Sequence, residues 1–399
     1  MRDNDQKRAS EHQAAKRLSL HFVEGQGLLL DPVAERLYSL NTGAALVWSL
    51  VKEGRSPDEI CRALTLDHGV AAEDAAGFLS EALGAWRDPA PGPRTPARAP
   101  RPPVRVVDRP RTDSVETRHY RLHNTVFRVH YASRALCDAV HPLLEGLAAA
   151  AGPRQDIVAN PASDVAVEPV GRAVSIVAAG REMGFAPSVD AAAVAVRATL
   201  TQLAVEQSGG LCVVHAGALA RNGRALLLPG NAGRGKSTLS AGLAAAGFDL
   251  LSDDTTLLAG QPVQVAPLPT GLCTKRGAYP VLEPLFPRLA ALPEWPRPDG
   301  LVAKYLMPGL DFPTVSGEAT FPVRWIAFPH YDPGHATSLR PLSRCEALQR
   351  LLPGVYFLSG TLDAANLDAM IHWIEGVDCF ELPLSSLDEA VSLLRSLCR

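Results

Sequence analysis

Hydrophobic positions alternate with polar ones, or run together briefly, over Leu18–Phe22, Gly27–Leu30 and Arg36–Leu40, which predicts three short strands with a turn at Asp31-Pro32. The spacing then becomes helical. Asn41-Thr42 precedes an amphipathic stretch to Val51, Ser56 can cap a helix over Pro57–Leu64, and Ala71–Trp86 carries a third helix. Periodicity stops after Asp88, where proline and arginine dominate and no core can form. Strand patterns return over His119–Val129 and near Ala173–Val177, with helical spacing over Ala135–Ala150 and Ala191–Glu206. Two continuous apolar runs follow, Leu211–Leu219 and Ala225–Leu228, both of buried-strand character. A helix over Thr238–Ala246 and a strand over Phe248–Asp253 come next. Beyond Pro313 the pattern reads as strand Val323–Phe328, helices Ser343–Leu352 and Ala364–Glu375, strand Cys379–Leu382 and a last helix Ser386–Leu397.

These patterns divide the chain into a polar tail (1–17), a small α+β module of winged-helix type (18–88), a Pro/Arg-rich linker (89–113) and an α/β domain (114–399) whose chemistry falls in about 211–280. Composition changes the picture only by exclusion. With 47% hydrophobic residues the chain can fill real cores. A formal charge of -3 gives no reason to expect nucleic acid or an anionic membrane as partner. The third helix of the N-terminal module is acidic, which argues against phosphate contacts with DNA. No run reaches the ~18 apolar residues of a membrane span. The seven cysteines show no C-x-x-C or zinc-like spacing. A soluble, cytoplasmic protein with reduced thiols is expected.

The candidate chemistry centres on RALLLPGNAGRGKSTLSAGLAAAGFDLLSDD. Its loop fits G-x-x-x-x-G-K-[ST] at Gly230, Gly235, Lys236 and Ser237, between an apolar strand and an Ala/Leu-rich helix. Gly230, Asn231, Ala232, Gly233, Arg234, Gly235, Lys236, Ser237 and Thr238 would wrap a nucleotide's phosphates with backbone amides at a helix N-terminus. Lys236 would reach the outer phosphates, and the Ser237 hydroxyl would serve a magnesium ion. Phosphoryl transfer to a hydroxyl also needs a proton acceptor, and the paired carboxylates Asp253 and Asp254 follow the second strand. Successive strand residues point to opposite faces, so the two carboxylates are expected to have separate tasks.

Two families are resembled. LLLDPVAERLYSLNTGAALVWSLVKEGRSPDEICRAL, within Leu18–Asp88, resembles the PqqD-like peptide-recognition domain, which implies that this module binds the leader of a ribosomally made precursor peptide. The resemblance implies strand addition at Arg36, Leu37, Tyr38, Ser39 and Leu40, beside a groove walled by Phe78, Leu79 and Leu83. Tyr38, Trp48 and Phe78 also read as core residues of a small domain. HAGALARNGRALLLPGNAGRGKSTLSAGLAAAGFDLLSDD resembles the HPr kinase/phosphorylase core, which implies a P-loop kinase domain using ATP and Mg2+. It implies Asp253 as general base, His215 as a polar helper or proton relay near the outer phosphates, Asp254 on the metal with Ser237, and a homo-oligomer. Thr274-Lys275-Arg276-Gly277 departs from that family's Glu-Ile-Arg-Gly, replacing a metal-ligating glutamate with basic residues. Lys275, Arg276 and Lys304 are then candidates for phosphate or acidic-peptide contact.

The functional expectation is a peptide kinase that grips a precursor leader and phosphorylates a hydroxyl, serine first. The alternatives are a nucleotide-switched precursor chaperone without kinase activity, and a regulatory serine kinase/phosphorylase acting on a carrier protein.

Overall fold

The computed structural model describes residues 18–33, 35–66, 69–87, 114–149, 163–231, 233–313, 315 and 319–399; at 42 and in 81–87 only the backbone is described. The expected polar tail, the linker and the loop residue Ala232 lie outside these. The chain forms two compact units, one of Met1–Ala97 with Leu342–Val377, the other of Arg98–Pro341 with Asp378–Arg399. No described helix is long and apolar enough to cross a membrane.

In the first unit β1 (Ser19–Val23), β2 (Gln26–Asp31) and β3 (Arg36–Leu40) form an antiparallel sheet in that order, with β1 and β3 as its edges. Three helices follow, α1 (Thr42–Lys52), α2 (Pro57–Leu66) and α3 (Ala72–Arg87). Local chemistry explains where they start. The Asn41 side chain accepts from the Ala44 amide at 2.8 Å. Ser56 and Glu59 make a reciprocal capping box, Glu59 accepting the Ser56 amide at 2.7 Å and Ser56 Oγ accepting the Glu59 amide at 3.3 Å. Leu29, Leu40, Ala45 and Trp48 close one core; Val47, Ile60, Leu64, Ala75 and Leu79 close a second.

Residues 342–377 were expected to belong with the C-terminal α/β domain, and the structure groups them with the N-terminal unit instead. The reason is polar pairing that hydrophobic spacing does not register. Arg344 Nη1 donates to Glu24 Oε1 at 2.8 Å, and His21 Nδ1 lies 2.6 Å from Asp368 Oδ1. Cys345 shares a hydrogen bond with the Ser39 hydroxyl.

The second unit holds a five-stranded sheet of β4 (Glu116–Leu122), β5 (Thr125–Tyr131), β6 (Asp164–Val170), β7 (Ala173–Ala178) and β8 (Arg181–Ala186) in that order. Helices α4 (Arg134–Leu144) and α5 (Ala192–Gln207) share its core around Phe127, Tyr131, Val140 and Leu200. Beyond it come β9 (Cys212–Val214), β10 (Ala216–Arg221), β11 (Arg224–Pro229), α6 (Lys236–Ala245), β12 (Asp249–Ser252), β13 (Thr256–Ala259), β14 (Gln264–Ala266) and β15 (Leu272–Lys275). The remaining elements are the short α7 (Tyr279–Leu282), β16 (Trp295–Pro296), β17 (Val302–Leu306), β18 (Val323–Tyr331), β19 (Arg340–Leu342), α8 (Arg344–Leu351), β20 (Val355–Phe357), α9 (Ala364–Ile374), β21 (Asp378–Leu384) and α10 (Leu387–Leu397), of which α8, β20 and α9 belong to the first unit.

A six-stranded sheet in the order β12-β10-β11-β18-β21-β19 carries the loop motif. β10 is antiparallel to β11 and to β12, whereas β18 is parallel to β11 and β21 to β18. Five of the six residues of β11 are buried, as a continuous apolar run on a central strand requires. Gly242 interrupts the Ala/Leu pattern of α6 because a Cβ there would fall 2.8 Å from Leu387 Cδ1 on α10.

One expectation needs correcting. Leu211–Leu219 reads as a single buried strand, yet the chain breaks at His215. β9 before the break pairs with β13, and β10 after it pairs with β11. The apolar residues on either side of His215 do not reveal the break, because both halves are mostly buried.

Candidate functional site

The loop between β11 and α6 is built on glycine. Gly230, Gly233 and Gly235 have φ of 150°, 84° and 89°, values a residue with a Cβ rarely adopts. Gly235 caps α6 in the left-handed conformation, so the helix begins at Lys236 with its first amides at the loop. Asn231, Gly233 and Arg234 are exposed, while Lys236 is buried at 4% exposure. Its ammonium donates to Gly230 O at 2.5 Å and Asn231 O at 3.2 Å, and so stays inside the turn. Burial depresses its pKa, an effect partly opposed by the Asp254 and Asp253 charges. Thr238 is half-buried in the first turn of α6.

His215, at the break between sheets, packs onto the same lysine. Its Nδ1 lies 3.0 Å from the Asp254 carbonyl, which can only accept, so Nδ1 carries the proton. Nε2 is then free to accept from Lys236 Nζ at 3.3 Å. One imidazole thus ties the loop lysine to the backbone that follows β12.

The two carboxylates differ as expected, but their partners require a revision. Asp253 is 5% exposed; its Oδ1 accepts from Ser237 Oγ at 3.1 Å and its Oδ2 from the Cys273 amide at 3.1 Å. Asp254 has φ of 63° and a side chain 45% exposed, with Oδ1 3.9 Å from Lys236 Nζ. Asp254 was expected to share a metal with Ser237; the carboxylate on Ser237 is that of Asp253. Desolvation, reinforced by the neighbouring Asp254 charge, raises the Asp253 pKa to about 7. A buried carboxylate held up in this way favours an added cation. Among the described residues no group of three or more His, Cys, Asp or Glu could hold a metal. Ser237 Oγ and Asp253 are therefore a two-oxygen set, which fits magnesium, an ion that keeps several waters and takes phosphate oxygens. They do not form an all-protein metal cage.

Both carboxylates border a cleft of 310 Å³ lined also by Arg197, Thr201, Thr270 and Cys273. Arg197 donates to Thr270 Oγ1 at 3.1 Å and stacks 4.8 Å from the Tyr305 ring centroid. Sequence reasoning passed over it, although one arginine in the apolar helix AAAVAVRATLTQLAV was a visible signal. Cys273 left no signal, since it acts through its amide. Of the three downstream cations, Lys304 is buried and donates to Leu289 O at 2.8 Å and Ala290 O at 2.9 Å. Arg276 makes a two-pronged pair with Glu294 at 3.1 and 2.7 Å. Lys304 is thus held by two backbone carbonyls, whereas Arg276, 70% exposed, is held by a surface ion pair. Lys275 alone of the three makes no side-chain hydrogen bond or ion pair among the described residues, and its charge acts on Lys236.

In the first unit the residues expected to receive a peptide are spread between edge and core. β3 is an edge strand, with Leu37 and Leu40 buried, Arg36 and Tyr38 half-buried and Ser39 exposed. Leu79 is core, and the Phe78 ring fills the space where a Cβ on Gly43 would collide with it. The side chain of Leu83 lies outside the described residues. A three-stranded antiparallel sheet with β1 and β3 at its edges, followed by three helices, defines a small α+β module. Residues 26–88 of this module match the family described as Coenzyme PQQ synthesis protein D (PqqD). No curated protein matches the chain.

Proposed function

We propose that the chain is an ATP-dependent kinase that holds the leader of a ribosomally made precursor peptide through its PqqD domain and phosphorylates a hydroxyl, serine first, of the same peptide. The observation that carries this reading is the Ser237–Asp253 contact next to the buried Lys236, with Asp253 and Asp254 both lining one cleft. The loop amides and the N-terminus of α6 hold the phosphate chain, and Lys236 balances charge on its outer oxygens. Ser237 and Asp253 would hold a magnesium ion, which supplies charge neutralisation at the phosphates when bound.

Asp254 is the group that takes the proton of the acceptor hydroxyl. It borders the cleft and is partly exposed, whereas both oxygens of Asp253 already accept hydrogen bonds. His215 holds the Asp254 carbonyl and so positions that carboxylate. The acceptor oxygen forms a bond to the γ-phosphorus, the bridging bond to the β-phosphate breaks, and ADP leaves. Tethering a leader-binding module to this site raises the local concentration of acceptor, so the cleft itself need not bind the peptide tightly.

The test is incubation of the full chain with ATP, Mg2+ and the precursor peptide encoded beside it, followed by intact mass. A gain of one phosphate on the peptide is expected. Leader binding that responds to nucleotide with no mass gain would support a switched chaperone instead.

A further inference from the structure

The polarity of the six-stranded sheet and one exposed ring carry an inference about the nucleotide, which rests on the kinase reading above. β11, β18 and β21 run parallel, so Pro229, Tyr331 and Leu384 come out at one end of the sheet. That is the end at which open α/β sheets receive ligands. The sheet order puts β18 on one side of β11 and β12, which leads to Asp253, on the other. The glycine loop therefore has two flanks. One carries the carboxylates and the cleft, and the other carries Tyr331.

Tyr331 is 53% exposed, yet its backbone is fixed against the loop. Its amide donates to the Arg234 carbonyl at 3.3 Å, and its Cβ lies 3.6 Å from where a Cβ on Gly235 would stand. The neighbouring His330 ring meets the Arg234 guanidinium. The segment that follows is pinned to the end of β21. The Asp332 amide donates to Leu384 O at 2.9 Å, and Thr337 Oγ1 accepts the Ser385 and Ser386 amides at 3.2 Å each. Asp332 closes its own turn by accepting the Gly334 amide at 2.9 Å and meeting His335 Nδ1 at 2.6 Å. A rigid aromatic ring on a pinned backbone gives up little freedom when a second flat ring stacks on it.

We propose that Tyr331 is the platform on which the base of a purine nucleoside triphosphate stacks, with the triphosphate running from that flank through the glycine loop toward Asp253. Stacking reads the face of a base, and every purine presents one. ATP and GTP should therefore depend on Tyr331 to a similar degree.

The test compares wild type, Tyr331→Ala, Tyr331→Leu and Tyr331→Phe in the full chain by calorimetry with Mg2+, using ATP, GTP and inorganic tripolyphosphate as probes. Because the ring is largely exposed, all three variants should fold, which melting curves check. Tyr331→Ala and Tyr331→Leu should weaken ATP and GTP by about tenfold or more, a stacking-sized loss, while tripolyphosphate binds as in wild type and Tyr331→Phe keeps its ATP affinity. Unchanged ATP affinity in Tyr331→Ala overturns the platform. So does a parallel loss of tripolyphosphate, which would make Tyr331 a support for Gly235 instead. A wild type that binds neither ATP nor tripolyphosphate refutes the phosphate-loop reading itself, and the platform with it. Binding of tripolyphosphate but not of ATP would leave the loop intact and overturn the platform alone.

Discussion

The two regions singled out by sequence behave differently once folded. Around the glycine loop, residues 16 to 39 positions apart converge: His215 on Asp254, Ser237 on Asp253 and Lys236 on His215. In the N-terminal module the chosen residues disperse, Leu37, Leu40 and Leu79 entering cores while Ser39 stays at the surface. The difference follows from how each site would bind. A phosphate site needs side chains of fixed type, converging on one point, so residue identity reports function. A strand-addition site binds through backbone groups of an edge, and its side chains remain free to serve the core.

The sharpest way to break this contrast is Lys236→Ala. Turnover should fall by about 10³-fold or more, while leader affinity measured by calorimetry stays within about twofold. A matching loss of leader binding would mean the two sites are one. Asp254→Asn should keep nucleotide affinity and lose about 10²–10⁴-fold in rate, with no recovery at raised magnesium. Asp253→Asn should instead weaken the metal and recover part of its rate across a magnesium titration. Rescue of the Asp254 variant with none of the Asp253 variant would restore the opposite division between the two carboxylates.

Asp253 also gives a stability test. Its folded pKa is raised from 3.8 to about 7, so the native state holds a proton that the unfolded state releases between those values. Stability without metal should therefore fall as pH rises through that window. Asp253→Asn should flatten the slope in denaturant melts, and ATP with Mg2+ should stabilise the wild type more at pH 8 than at pH 6. The smallest effect belongs to the recognition module. Phe78→Ala should cost about 2 kcal/mol of that unit's stability, because the ring is only partly buried against Gly43. Tyr38→Ala should weaken leader binding by about 1 kcal/mol, and Tyr38→Phe, which keeps the ring packed against the Leu29 and Trp48 core, should leave melting unchanged.

Much of this was legible in the sequence because local signals and tertiary demands agree. The caps at Asn41 and Ser56, the apolar run of β11 and the glycines of the loop each have a local cause that survives folding. What was missed lacks a local cause. Lys304 looks like a free cation until the carbonyls of Leu289 and Ala290 are brought beneath it. The break at His215 separates two sheets, and a single polar residue in the run does not say that the strand pairing changes there. The order of Asp253 and Asp254 along the chain says they differ, and only the Ser237 contact says which faces the loop. The attachment of residues 342–377 to the N-terminal unit rests on pairs such as Arg344–Glu24, 320 positions apart.

The contacts of His215 bear on how this unit folds. Its bonds to Lys236 and to the Asp254 carbonyl span 21 and 39 residues, and the Asp253 bonds to Ser237 and Cys273 span 16 and 20. Each closes a loop of chain whose entropy is lost before the bond forms, so none can persist in a partly ordered segment. The pocket therefore depends on several loop closures at once. A ligand bound there acts as a latch on the whole stretch from β9 to β15, and at a hundred times its dissociation constant it adds about 2.7 kcal/mol to the folded state. Amide exchange protection gained on adding nucleotide should therefore spread across these strands together, well beyond the loop it touches.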